Sequence, residues 1–343
     1  MRSYFFSSIV LILFAFSIAW GENAPETSAR KQILCATFPM YQITRNVTQG
    51  RKGVDVQLML PASLGCPHDY ALTPQDMQKL AGAKVLVVNG LGLEEFLGAP
   101  VKNANSGIVI VDSSEGIKNL LEYKDEDAHH EAEHEHHVES GDKEHAGHDT
   151  LVKDEHHPGH GDAEHEHHHT GTNPHLFASP RMVARLAANI AAGLSKADPE
   201  DAALYAQNAE AYAARMNRLA DEFSALGKTL KNNRIVTQHG VFDYLSRDIG
   251  LEIVAVVQAH AGQEPSAAEI LDIVKTVRDK KVGAVFTEPQ YPAKVGQTIA
   301  KETGIPTAIL DPVATGPENA PVDYYETVMR KNMETLRATL GTK

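Results

Sequence analysis

The chain has 343 residues and a formal net charge of −13, and 14 of its 18 histidines fall between His129 and His169. Between Glu122 and Thr172 there are 16 acidic side chains against three lysines, so this one segment accounts for the whole acidic excess. The acidity therefore says nothing for nucleic-acid binding by the rest of the chain, and no nucleic-acid partner is expected.

The chain opens with a short basic start, MRSYFF, an apolar run, SSIVLILFAFSIAW, and a small-x-small ending at Gly21. This predicts a cleaved secretory signal over 1–21 and export. No later stretch approaches 18 apolar residues, so a soluble mature protein is expected; a monomer is expected as well. An oxidising compartment permits a disulfide between the two cysteines, Cys35 and Cys66, if their Cα atoms come within about 7 Å. Cys66, two residues before His68, also has a weaker reading as a metal ligand.

A strand–helix alternation follows. ILCATF (33–38) reads as a buried strand and MYQITRNVTQG (40–50) as a helix. VDVQLML (54–60) is a strand, and TPQDMQKLAG (73–82) a helix with Thr73 as N-cap and Pro74 at its first position. KVLVVN (84–89) and GIVIVD (107–112) complete four strands, the pattern of a parallel sheet covered on both faces. The segment 122–172 interrupts this with almost no aliphatic residues, too few to offset the entropy of ordering it, and is read as a disordered insert. A helix resumes at 179–194, capped by Ser179, and a second helical pattern of roughly 30 residues runs from Asp198 to about Leu230. Strands at 234–238, 251–257, 283–288 and 306–310 then alternate with helices, and an amphipathic helix closes the chain. The expected architecture is α/β: two doubly wound parallel-sheet lobes, at 31–196 and 233–343, joined by one long backbone helix at 198–230.

Ligands of open parallel sheets bind at the carboxyl ends of the strands. His68 (PASLGCPHDY), His239 (VTQHG) and Asp311 (AILDP) all stand just past a strand, and His175 (TNPHLFASP) lies in the loop after the insert. Three neutral imidazoles and one carboxylate form a plausible tetrahedral set for zinc. Each residue alone has a plainer reading as a capping, turn or surface group, and His260 reads as a rim residue.

The segments GCPHDYALTPQDMQKL, NPHLFASPRMV, TQHGVFDYL, FTEPQYPAKVGQTIA and LDPV, in this order, resemble the zinc-specific solute-binding proteins of bacterial ABC importers, the ZnuA type. The resemblance covers the mature chain, including the histidine-rich insert before NPH. It implies two α/β lobes bridged by a rigid helix, with Zn²⁺ as transported ligand between them and an ABC transporter permease as partner. It places the metal ligands on His68, His175 and His239, with either Asp311 or a water in the fourth position; Glu288 (FTEPQ), at another strand end, is read as a residue beside the site that orients a ligand. Manganese-carrying relatives have a carboxylate where His239 stands. Cys66 departs from the family, which usually has a small polar residue there.

A zinc hydrolase is the first competing reading, since three histidines with an open position also describe a catalytic site. No HExxH or other hydrolytic motif is present, so no enzymatic activity is expected. A metal-buffering or adhesive surface protein would explain the insert but not two complete lobes. On the zinc-capture reading the insert is an auxiliary scavenger feeding the cleft.

Overall fold

The computed structural model describes residues 31–67, 70–122, 171–258 and 264–342. The signal segment, most of the histidine-rich insert, His68 and His260 lie outside them. Among the described residues no helix is long and apolar enough to cross a membrane.

Two four-stranded parallel sheets carry the fold. The first contains β1 (Lys31–Cys35), β2 (Val54–Leu58), β3 (Val85–Val88) and β4 (Val109–Asp112) in the order β2-β1-β3-β4. The second repeats that order as β6-β5-β7-β8, from β5 (Arg234–Thr237), β6 (Glu252–Val256), β7 (Ala284–Thr287) and β8 (Thr307–Ile309). All six strand pairs are parallel. The two-lobed α/β class expected from the alternation is therefore present.

Helices α1 (Phe38–Val47), α2 (Pro74–Gly82) and α3 (Gly98–Ala104) belong to the first sheet. Helices α6 (Asp243–Ile249), α7 (Ala267–Asp279), α8 (Lys294–Thr303) and α9 (Tyr324–Leu340) belong to the second. Two helices, α4 (Pro180–Ala197) and α5 (Ala202–Thr229), lie between them in sequence and pack along one another. Local chemistry sets several starts. Thr73 and Ser266 make reciprocal capping boxes with Asp76 and Glu269, and Ser179 accepts the Met182 N–H.

Several details differ from the sequence reading. The first strand stops at Cys35, and α1 opens at Phe38 because Pro39 sits in its first turn, where a missing N–H costs nothing. The long helix begins at Ala202, since Pro199–Asp201 forms a tighter 3₁₀ turn first. Helix α3, between β3 and β4, has no counterpart in the sequence reading.

At 28 residues α5 spans about 42 Å. Its buried stripe, Tyr205, Ala209, Tyr212, Met216, Leu219, Phe223 and Leu226, recurs every three or four residues. Each large side chain there contributes about 1.5–3 kcal/mol of burial. The helix touches α1 in the first lobe and α6 and α9 in the second. Further bonds cross directly. Asn46 Nδ2 donates to Val322 O at 2.8 Å, Gly316 N–H to Ala62 O at 3.0 Å, and Tyr325 Oη to Phe177 O at 2.9 Å.

Candidate metal centre

Strand order decides which side chains meet in the second lobe. β5 pairs with β6 on one side and β7 on the other, so the order reverses at β5 and a crevice opens beyond its carboxyl end. Thr237 is in register with Phe286, and His239 and Glu288 each lie two residues further on. Their side chains meet, with His239 Nδ1 2.5 Å from Glu288 Oε1. An ionised carboxylate only accepts, so Nδ1 carries the hydrogen and Nε2 is the ligating face. Gln290 Nε2 donates to the other Glu288 oxygen at 2.6 Å, which fixes the carboxylate in turn. Both residues are buried, at 3 % and 1 % exposure.

His175 is held between the lobes. Asn173 Oδ1 accepts the His175 backbone N–H at 3.0 Å and stands 2.9 Å from its Nδ1. The Asn173 amide nitrogen donates to Gly240 O and Asp243 Oδ2, both at 2.8 Å, so its oxygen must face the imidazole. That oxygen again fixes Nδ1–H and assigns Nε2 to coordination. From the first lobe, Asn89 at the end of β3 donates to Pro174 O at 2.9 Å. Tyr244 Oη donates to Asn173 O at 2.8 Å. His175 has no exposed surface.

The loop after β2 supplies the third group. Gly65 has φ +83°, and a Cβ there would lie 3.2 Å from Gln290 Cγ, so the first lobe's loop abuts the second lobe. The next residue, Cys66, places Sγ 3.5 Å from His239 Nε2. Ligand atoms of Cys66, His175 and His239 all lie within 4.8 Å of one another. The two imidazoles meet edge-to-face with centroids 5.3 Å apart. The Tyr291 ring packs edge-on against His239 at 5.4 Å, and burial, then the nearby Cys66 and Glu288, push its hydroxyl pKa up.

Asp311 stands beyond β8, outside this three-residue cluster. Its Oδ1 accepts the Val313 N–H at 2.8 Å, and Asn332 brackets its backbone at 3.0 and 2.7 Å. Burial raises its carboxyl pKa; the Val313 N–H opposes this, and the Glu288 charge adds to it. His68, the other sequence-derived candidate, lies outside the described residues.

The disulfide admitted by sequence does not form: both cysteines are free. Cys35 ends β1 in the core with no exposure, bonded through its backbone between neighbouring strands, and burial pushes its thiol up to about 12. Cys66 is in the cleft instead. Reasoning from sequence also missed Asn173, Asn89 and Tyr291. Only Asn173 carried a signal, standing two residues before a candidate ligand.

Comparisons with known proteins show the family. The family model described as "Zinc-uptake complex component A periplasmic", ZnuA, matches residues 33–339. The chain is 29 % identical over 338 residues to the zinc-binding protein AdcA of Streptococcus pyogenes, covering 97 % of this chain and 60 % of that protein. It thus spans about 60 % of the length of that relative. It is 27 % identical over 344 residues to the high-affinity zinc uptake system protein ZnuA of Bacillus subtilis, covering 98 % of this chain and 97 % of the other. Among solved structures, a Zn(II)-bound mutant variant of AdcAII of Streptococcus pneumoniae superposes with a TM-score of 0.69 at 25 % identity, over 91 % of this chain and 99 % of that one. With nearly the whole described chain inside the match, the protein belongs to the ZnuA family of zinc-uptake component A proteins.

Proposed function

We propose that this protein captures Zn²⁺ between its two lobes and delivers it to the permease of an ABC importer. The observation that carries the reading is the pair of buried imidazoles, His175 and His239. Each is fixed through Nδ1 by an acceptor and turns Nε2 into one cleft. Buried imidazole suits zinc, whereas manganese prefers oxygen-rich sites. The coordination set on this reading is His175 and His239 with His68 and Asp311.

The metal is cargo and the protein is not an enzyme. Glu288, the carboxylate nearest the imidazoles, is engaged by His239 and Gln290 and does not serve as a base for hydrolysis. The working unit is an exported, periplasmic monomer whose signal is residues 1–21. Its lobes, 31–196 and 233–343, are tied by 198–230. The relatives' names as zinc-binding and zinc-uptake proteins support this reading.

Native mass spectrometry of the mature protein during a zinc titration tests it. One ion should be retained ahead of all others, and His175→Ala or His239→Ala should weaken that ion roughly 100-fold or more, beyond the effect of removing an outer partner. Unchanged retention in both variants overturns the assignment.

A further inference from the structure

Cys66 is the one member of the described cluster that the zinc-capture reading does not use. Its loop is built to reach the cleft. Gly65 takes a left-handed conformation that disfavours a side chain, and it packs close to Gln290 of the opposite lobe. The sulfur then stands 3.5 Å from the atom of His239 that would bind metal, and within 4.8 Å of a ring nitrogen of His175.

The Cys66–His239 separation is that of co-ligands. With Zn–S about 2.3 Å and Zn–N about 2.0–2.1 Å, tetrahedral angles put sulfur and nitrogen on one ion about 3.6 Å apart. Resting on the zinc-capture reading, we propose that Cys66 is itself a ligand of the cleft ion, in the fourth position that this reading gives to Asp311, which stands outside the cluster, so that the cargo is held by a thiolate beside the imidazoles. On binding, a metal–sulfur bond forms in place of the S–H bond, and the displaced proton leaves to solvent. A soft thiolate biases the site toward Zn²⁺, Cd²⁺ and Cu⁺ and against Mn²⁺.

The second thiol is an internal control, because Cys35 is fully buried and its thiol is held protonated far above neutrality. The reduced, metal-free mature protein should expose one thiol to a disulfide reagent, and one equivalent of Zn²⁺ should slow that reaction at least roughly tenfold. Loading with Co²⁺ should give a near-ultraviolet thiolate-to-metal charge-transfer band that Cys66→Ser lacks. Cys66→Ser should also lose Zn²⁺ affinity roughly 100-fold, and Cd²⁺ affinity further, while Mn²⁺ binding barely changes.

If one Zn²⁺ binds tightly while Cys66 reacts equally fast with and without it, and no charge-transfer band develops, the thiolate is not a ligand and the zinc reading stands. If no ion is retained at the cleft at all, both fall. The labelling and the Co²⁺ spectrum are read on the unaltered chain, so a folding defect in the variant cannot mask the answer.

Discussion

Glu288 Oε1 sits 2.5 Å from His239 Nδ1, and the two residues extend from neighbouring strands β5 and β7 at the point where the strand order reverses. Burial alone would lower the His239 pKa, but the Glu288 carboxylate, backed by the Cys66 sulfur, overrides it and raises it well above 6.5. A folded-state pKa raised in this way stabilises the metal-free fold fully below the unfolded value and loses that contribution as pH rises through the elevated one.

The same shift governs metal binding. An entering ion must displace the proton held on His239, so apparent zinc affinity should rise from about pH 6 to about pH 8, with proton release on binding. Glu288→Gln removes the charge that holds the proton. Calorimetry in buffers of different ionisation enthalpy should show less release in the variant, and affinity should fall about 10–100-fold. Identical proton release in both proteins would remove Glu288 from this role.

Gly227 near the end of α5 tests the seam between the backbone helix and the second lobe. An alanine there would be worth about 1 kcal/mol as a helix former. Its Cβ, however, would lie 1.8 Å from the Ile249 carbonyl oxygen at the end of α6. No rotamer change relieves a contact with backbone, so overpacking of about 1–3 kcal/mol should prevail. Gly227→Ala is expected to lower stability in urea. A net gain would mean that the seam yields freely.

Glu94 predicts a pH dependence of stability. Burial pushes its carboxyl up to about 7, against the N–H groups of Asn89 and Gly90 that favour the ion, and Asp112 adds to the rise. The folded state therefore binds more protons than the unfolded chain between the ordinary carboxylate range and 7. Stability should fall as pH rises through that window, by at most about 3 kcal/mol. Denaturation midpoints of the unaltered protein should drop from about pH 5 to about pH 8 relative to Glu94→Gln. Parallel curves for the two proteins would show that Glu94 titrates normally.

The root of the histidine-rich insert is closed. The Asn173 N–H donates to Leu121 O at 2.7 Å, the Leu121 N–H to Tyr244 Oη at 3.1 Å, and Thr172 Oγ1 to Glu122 at 3.2 Å. Replacing the chain between Glu122 and Thr172 by a four-residue glycine-serine linker should leave these bonds intact and ease loop closure by roughly 2 kcal/mol. One tight zinc ion should remain and the weaker binding should vanish. Loss of the tight ion with the insert would make the insert a ligand donor.

The alternation of β-branched runs with capped helical segments determined the eight parallel strands and the long connecting helix, because hydrophobic period and capping chemistry are local. Local order also located His239 and Asp311 just past strand ends, and the motif run around His68, His175 and Glu288 carried the family resemblance. What lay beyond local reach was the meeting of distant segments. The family resemblance put a thiol near the site at Cys66, but GCPHDY does not say that it will touch His239, 173 positions away. The docking of two lobes against α5 decided that. It also decided that Cys35 and Cys66 stay apart, because Cys35 packs in the first lobe's core while the Gly65 turn carries Cys66 into the cleft. The pairing of His239 with Glu288 likewise depends on the order β6-β5-β7-β8, which is set by side-chain packing between strands distant in sequence and not by any one strand's residues.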